Sequence, residues 1–201
     1  MIKAIFFDAG DVLFRADFAG PVREFEEKHG IVPGRLYVSV HDRPYWREFT
    51  LGNISEQDYF QKVAGDFGAG FDIEELKNAI YESFMVNEEL IDYIRTLKNQ
   101  HILGIISNNP KEWFDRFWHG QNWKEIFEVH AVSGYLHVRK PDPRIYQHAL
   151  KTAKIKGEEA VYVDNRADRT EGAVRLGMKI LIYKNIEQLK KAIDNLERGA
   201  I

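Results

Sequence analysis

The stretch Ile2-Lys3-Ala4-Ile5-Phe6-Phe7-Asp8-Ala9-Gly10-Asp11-Val12-Leu13 decides how this sequence reads. A short apolar and aromatic run that stops at an Asp and a Gly has the character of a buried parallel strand. Asp8 then stands at the carboxyl end of that strand, where open α/β sheets bind their ligands. Burying an unpaired carboxylate is costly, so a nucleophile or a metal ligand is a better reading of Asp8 than a simple turn cap.

Four further runs share this character: Ile102–Ile106, Val129–Val132, Ala160–Val163 and Met178–Ile182. Helical patterns separate most of them. Asn87 can cap a helix with Leu90, Ile94 and Leu97 on one stripe, Asp142-Pro143 is a strong start signal, and Asn185 opens a last helix. Strands alternating with helices indicate an α/β fold with a doubly wound parallel sheet covered on both faces.

The segment from about Phe14 to Asn87 breaks the alternation, with helix signals and almost no buried-strand run. Ser55-Glu56-Gln57-Asp58 resembles a capping box, Asp72 can cap a helix carrying Leu76, Ile80 and Phe84, and another helix is expected from about Phe18 to His29. The division expected is a core of residues 1–14 and 88–201, with residues 15–87 as a helical cap inserted after the first strand. An insertion there overhangs the strand ends as a lid. Trp46, Phe49 and Tyr59 read as its core, and Arg15, His41, Arg43 and Tyr45 as candidates for contacting substrate or supplying a proton.

At 201 residues the chain suits one core with a modest insertion, and 44% hydrophobic residues argue against disorder. A net charge of −3 with scattered Lys and Arg is unlike the one-sided basic surface of a nucleic-acid binder. The absence of cysteine excludes disulfides and thiol chemistry and fits a reducing cytosol. Neither a signal pattern nor a membrane-length apolar run is present, so a cytoplasmic protein with no membrane partner is expected, as monomer or homodimer.

Three further polar positions match Asp8 on the other strands. Ser107 follows the second and precedes Asn108-Asn109, Lys140 lies in Arg139-Lys140-Pro141-Asp142-Pro143, and Asp164 ends the fourth, with Asp168 four residues on. Each alone reads as a cap or a solvated charge. In this order on successive strand ends they are informative. Together with the insertion they resemble the haloacid dehalogenase-like hydrolase superfamily, over nearly the whole chain. The resemblance is closest to the subfamily I type with a helical C1 cap whose first motif reads Asp-x-Gly-Gly-Val-Leu or Asp-x-Gly-Asn-Val, including bacterial α-glucose-1-phosphate phosphatases. Asp8-Ala9-Gly10-Asp11-Val12, Ser107-Asn108-Asn109, Arg139-Lys140-Pro141 and Glu171-Gly172-Ala173 with Leu176-Gly177 carry it.

The resemblance implies a Rossmann-like core of strand order 5-4-1-2-3 and a Mg2+-dependent phosphatase of a small phosphorylated metabolite, a sugar phosphate first. Asp8 would attack phosphorus and form an aspartyl-phosphate that water hydrolyses. Ser107 and the backbone amide of Asn108, at a helix start, would bind phosphate oxygens, and Lys140 would add a fixed positive charge. Asp8, the Gly10 carbonyl and Asp164 would hold Mg2+. Asp168 reads as a carboxylate near the metal or, by preference, the N-cap of the following helix.

The pattern departs from most phosphatases of the superfamily at Gly10, where a second Asp serves as general acid. Asp11 is also unusual, either lending a carboxylate or capping the turn. Alternatives are a haloacid dehalogenase using the same Asp, a phospho-accepting receiver domain, and a non-catalytic interaction protein that kept the fold. Gly10 and Asp164 both argue against the dehalogenase.

Overall fold

The computed structural model describes residues 1–68 and 71–198. The first strand, β1 (Ala4–Phe7), is followed by β2 (Phe14–Ala16) and five helices: α1 (Pro21–Lys28), α2 (Arg35–His41), α3 (Pro44–Thr50), α4 (Glu56–Gly65) and α5 (Ile73–Glu82). The chain returns through β3 (Phe84–Val86) to α6 (Glu88–Leu97), β4 (Ile102–Ser107), α7 (Lys111–Gly120), β5 (Val129–Val132) and a short α8 (Ser133–Leu136). It closes with α9 (Pro143–Ala153), β6 (Ala160–Asp164), α10 (Glu171–Arg175), β7 (Lys179–Ile182) and α11 (Ile186–Glu197).

The main sheet has the order β5-β4-β1-β6-β7, all pairs parallel. This is the order expected, with the strand that presents Asp8 in the centre. Because side chains alternate along a strand, β1 feeds two separate cores. Ile5 and Phe7 pack with Leu90, Ile94, Phe114 and Leu189 from α6, α7 and α11. Ala4 and Phe6 pack with Tyr146, Ala149 and Ala173 from α9 and α10. Both faces are therefore covered, which is why the strands read as continuous apolar runs.

The caps expected at Asn87, Asp142, Asn185, Ser55 and Asp72 all form, each side chain accepting from a backbone amide in the first turn. The helix expected from Phe18 begins later, at Pro21, where proline is favoured because its missing N–H has no partner to lose. The antiparallel ribbon of β2 and β3 was not expected. Its three-residue strands flank the insertion and are too short to leave a periodic signal.

Between them the helices α1 to α5 build their own core around Phe49, Tyr59, Phe60 and Ile80, joined by Trp113 from α7. A seam ties the far side of this insertion to the sheet. Ser133 Oγ donates to the Thr50 carbonyl (2.5 Å), and Arg139 Nη1 donates to Thr50 Oγ1 (2.5 Å). Beside them Gly52, at φ +70°, packs so closely on Gly134 that a Cβ would lie 2.4 Å from its carbonyl oxygen.

Candidate active site

Sheet register brings the two acidic strand ends level. Phe7 and Val163 are register partners, so Asp8 and Asp164, each one residue further on, stand side by side on adjacent strands. Asp8 is 1% exposed and Asp164 is fully buried. Lys140, itself buried, reaches across from the segment before α9 and places Nζ 2.8 Å from Asp8 Oδ1 and 2.8 Å from Asp164 Oδ2. The two carboxylates thus share one ammonium.

The two oxygens of Asp8 differ. Oδ1 accepts from Ala9 N (2.7 Å), Ser107 Oγ (3.1 Å) and Lys140 Nζ (2.8 Å). Oδ2 is buried without a hydrogen-bond donor, with Arg169 Nη1 3.7 Å away. Burial raises the Asp8 carboxyl above its usual value, Lys140 works against this, and Asp164 adds to it. Asn109 Nδ2 donates to Ser107 Oγ (3.2 Å), fixing the hydroxyl that holds Asp8.

Several sequence expectations are corrected. Asn108 is not at a helix start, because Pro110 takes the cap position and α7 begins at Lys111. The Asn108 side chain instead clamps the Lys140 backbone, accepting from its N–H (2.8 Å) and donating to its carbonyl (3.2 Å). Asp168 is not a cap either. Thr170 occupies the cap position of α10, and Asp168 is an exposed side chain paired with Arg166 (2.7 Å). It is linked to the site through Arg166, whose backbone N–H donates to Asp164 Oδ1 (2.8 Å). Of the lid candidates, Arg15 and His41 line the pocket over Asp8, whereas Arg43 and Tyr45 bind Asp66.

Tyr162 was missed. Its hydroxyl accepts from Lys140 Nζ (2.7 Å) and donates to Asp164 Oδ2 (2.5 Å). Burial first, then Asp8 and Asp164, keep this phenol well above its usual pKa, so it remains a donor. The signal was present in the strand period, since residues 162 and 164 point to one face. Arg139 and Arg169 were also missed as pocket residues. Burial, Arg47 and Arg169 push the Arg139 guanidinium down to about 10, which leaves it cationic at neutral pH.

The pocket between strand ends and insertion has a volume of about 240 Å³. Asp8, Ser107 and Asn108 form its floor, Tyr37 and Trp46 part of its roof, and Arg139, Arg166 and Arg169 one charged side. For a metal, the donor set is two buried carboxylates against one ammonium and a more distant guanidinium. That combination fits a hard cation such as Mg2+, which uses one or two carboxylates and keeps water for the rest. Among the described residues no three Asp, Glu or His side chains converge, so a site drawing on Asp8, Asp164 and a main-chain carbonyl would be oxygen-poor in protein ligands.

A family model described as haloacid dehalogenase-like hydrolase matches residues 2–177. The chain belongs to this family. It is a haloacid dehalogenase-like hydrolase in which Asp8, Ser107 and Asp164 stand at the carboxyl ends of neighbouring strands and Lys140 reaches in from the segment before α9. Among curated relatives, it is 22% identical to a drimenol cyclase of Aspergillus calidoustus, matching 99% of this chain but only 38% of that protein. It is 27% identical to the D-ribitol-5-phosphate phosphatase of Bacteroides thetaiotaomicron, over 92% of this chain and 93% of the relative. Among solved structures, an enzyme of the same family from Bacteroides thetaiotaomicron, in complex with magnesium and inorganic phosphate, superposes with a TM-score of 0.78. It shares 18% identity and covers 92% of this chain and 95% of that one. No helix among the described residues is long and apolar enough to cross a membrane.

Proposed function

We propose that this hydrolase is a Mg2+-dependent phosphatase of a small phosphomonoester, a sugar phosphate before other classes, acting through an aspartyl-phosphate on Asp8. The asymmetry of Asp8 carries the reading. Three donors fix Oδ1, while Oδ2 is bare and buried, which leaves one oxygen oriented for in-line attack. Asp8, Asp164 and the Gly10 carbonyl would hold Mg2+, which supplies charge compensation for the transferred group. Ser107 and Lys140 compensate the equatorial oxygens from the protein side, and Arg139, Arg166 and Arg169 make the pocket attractive to an anion.

A pocket of about 240 Å³ favours a small ester. The likeness to a ribitol-phosphate phosphatase over almost the full length of both chains supports a polyol or sugar phosphate. Attack of the same carboxylate on a halogen-bearing carbon calls for no metal, whereas a second buried carboxylate, Asp164, beside Asp8 favours the metal-dependent reaction.

Phosphate release from a panel of sugar phosphates, nucleotides and an activated aryl phosphate tests the proposal, with and without Mg2+, for the wild type and Asp8→Asn. Release that needs Mg2+ and vanishes in the variant is the expected result. Equal release by both proteins would mean another nucleophile.

A further inference from the structure

Cleavage of an ester with a poor leaving group needs a proton delivered to the departing oxygen, and Gly10 removes the carboxyl group that would otherwise stand beside Asp8. The space is left open: a Cβ built on Gly10 meets nothing within 4 Å. The proton must then come from another wall of the same pocket. His41, at the end of α2, brings an imidazole into this lining.

The imidazole is held, not loose. Nδ1 lies 3.3 Å from the carbonyl of Tyr37, one turn back in the helix, which assigns Nδ1 the donor role and leaves Nε2 for chemistry. The ring is clamped by Phe18, Tyr37 and Trp46, with centroids at 5.5, 4.8 and 5.2 Å. Three aromatic neighbours fix its plane far better than an exposed histidine requires. Charges facing it come from two elements. Asp11, in the turn after β1, and Asp42, just past α2, both favour its protonated form, as does the Tyr37 carbonyl, while burial opposes it and sets the net direction downward. A phosphate ester entering the pocket adds negative charge that opposes the effect of burial and favours the imidazolium, the form that carries a proton on Nε2.

We infer that His41 is the proton donor to the leaving group, a lid-borne replacement for the acid missing at position 10, with Asp11 as the fixed charge beside it. The inference rests on the phosphatase reading. In the first half-reaction the Asp8 Oδ2–P bond forms and the P–O bond to the alcohol breaks. The Nε2 proton passes to the alcohol oxygen, leaving neutral imidazole. In the second, Nε2 takes a proton from water as its oxygen attacks phosphorus, the Oδ2–P bond breaks, and phosphate leaves with Asp8 and the imidazolium restored.

The test is a series of phosphate esters of graded leaving-group acidity, from p-nitrophenyl phosphate through phenyl phosphate to an alkyl phosphate. It is run on the wild type, His41→Asn, Asp11→Asn and the double variant His41→Asn/Gly10→Asp, with melting temperatures recorded alongside. A supplied proton makes the wild-type kcat nearly independent of the leaving group. His41→Asn retains an amide N–H for the Tyr37 carbonyl and should lose about 10²-fold or more in kcat on the alkyl ester. Its loss on p-nitrophenyl phosphate should be about tenfold or less, since that oxygen leaves without a proton. The double variant should regain turnover of the alkyl ester, because a Cβ at position 10 meets nothing within 4 Å.

Equal losses on all esters, or no loss, would overturn the inference. So would the same graded loss in Asp11→Asn with His41→Asn unaffected, which moves the role to Asp11. A wild type as inert as Asp8→Asn on every ester fails the phosphatase reading itself and takes this inference with it. That outcome is distinguished by the absence of wild-type turnover on every ester, p-nitrophenyl phosphate included.

Discussion

Lys140 Nζ sits 2.8 Å from a carboxylate oxygen of Asp8 and 2.8 Å from one of Asp164, with all three side chains buried. Removing the cation leaves two carboxylates facing each other out of water. Lys140→Met should therefore abolish turnover and cost about 3–5 kcal/mol in urea denaturation. Lys140→Arg should not restore activity, because a planar fork does not fit a position built for a point charge.

Asp8→Asn is expected to melt higher than the wild type while losing turnover. The folded-state carboxyl titrates above its ordinary value of 3.8, chiefly through burial, so at neutral pH its ionised form works against the fold. The amide cannot ionise, and Lys140 then forms a simple pair with Asp164. The advantage should narrow as the pH falls towards 3.8, where the wild-type carboxyl takes up its own proton. Thermal scans from pH 7 to pH 4 check the sign; a variant that melts lower at pH 7 contradicts it.

Mg2+ should raise the melting temperature of the wild type by binding the folded state alone. The rise should shrink in Asp8→Asn and Asp164→Asn. Chelation should remove turnover, and adding Mg2+ back should restore it.

Tyr162→Phe removes a hydroxyl that bonds both Lys140 and Asp164. A stability loss of about 1–3 kcal/mol is expected, since two buried polar groups lose a partner. Turnover should fall far less than in Asp8→Asn, as the hydroxyl positions the ion pair and does not face phosphorus. Chemical denaturation and kcat on the same samples separate the two effects.

Much of the site was legible because its chemistry sits at strand ends, which composition alone can locate. Asp8, Ser107 and Asp164 each terminate or follow an apolar run, and parallel register does the rest. What the sequence hid depends on contacts made across long separations. Arg139 becomes a pocket residue because Thr50, 89 residues away, meets its guanidinium. The β2–β3 ribbon is visible only once Phe14 and Val86 are paired. Asn108 and Asp168 were misjudged for a local reason. Pro110 sets the start of α7 beyond the backbone amide of Asn108 that was expected there, and Thr170 takes the cap position expected of Asp168.

Gly52→Ala should destabilise the protein by at least about 2 kcal/mol, because the added methyl enters a left-handed backbone position and meets the Gly134 carbonyl. Urea denaturation measures the cost, and limited proteolysis should show the insertion cleaved sooner than in the wild type.

The knot formed by Thr50, Gly52, Ser133, Gly134 and Arg139 also governs what can be exchanged between relatives. A chimera that grafts a foreign cap at the β2–β3 ribbon cuts only one of its attachments to the core. Another footing is written in residues 133–139 of the core, so a working graft has to carry that short loop along with it. The placement of the insertion over the pocket therefore depends jointly on two stretches of polypeptide that a linear alignment would treat as separate.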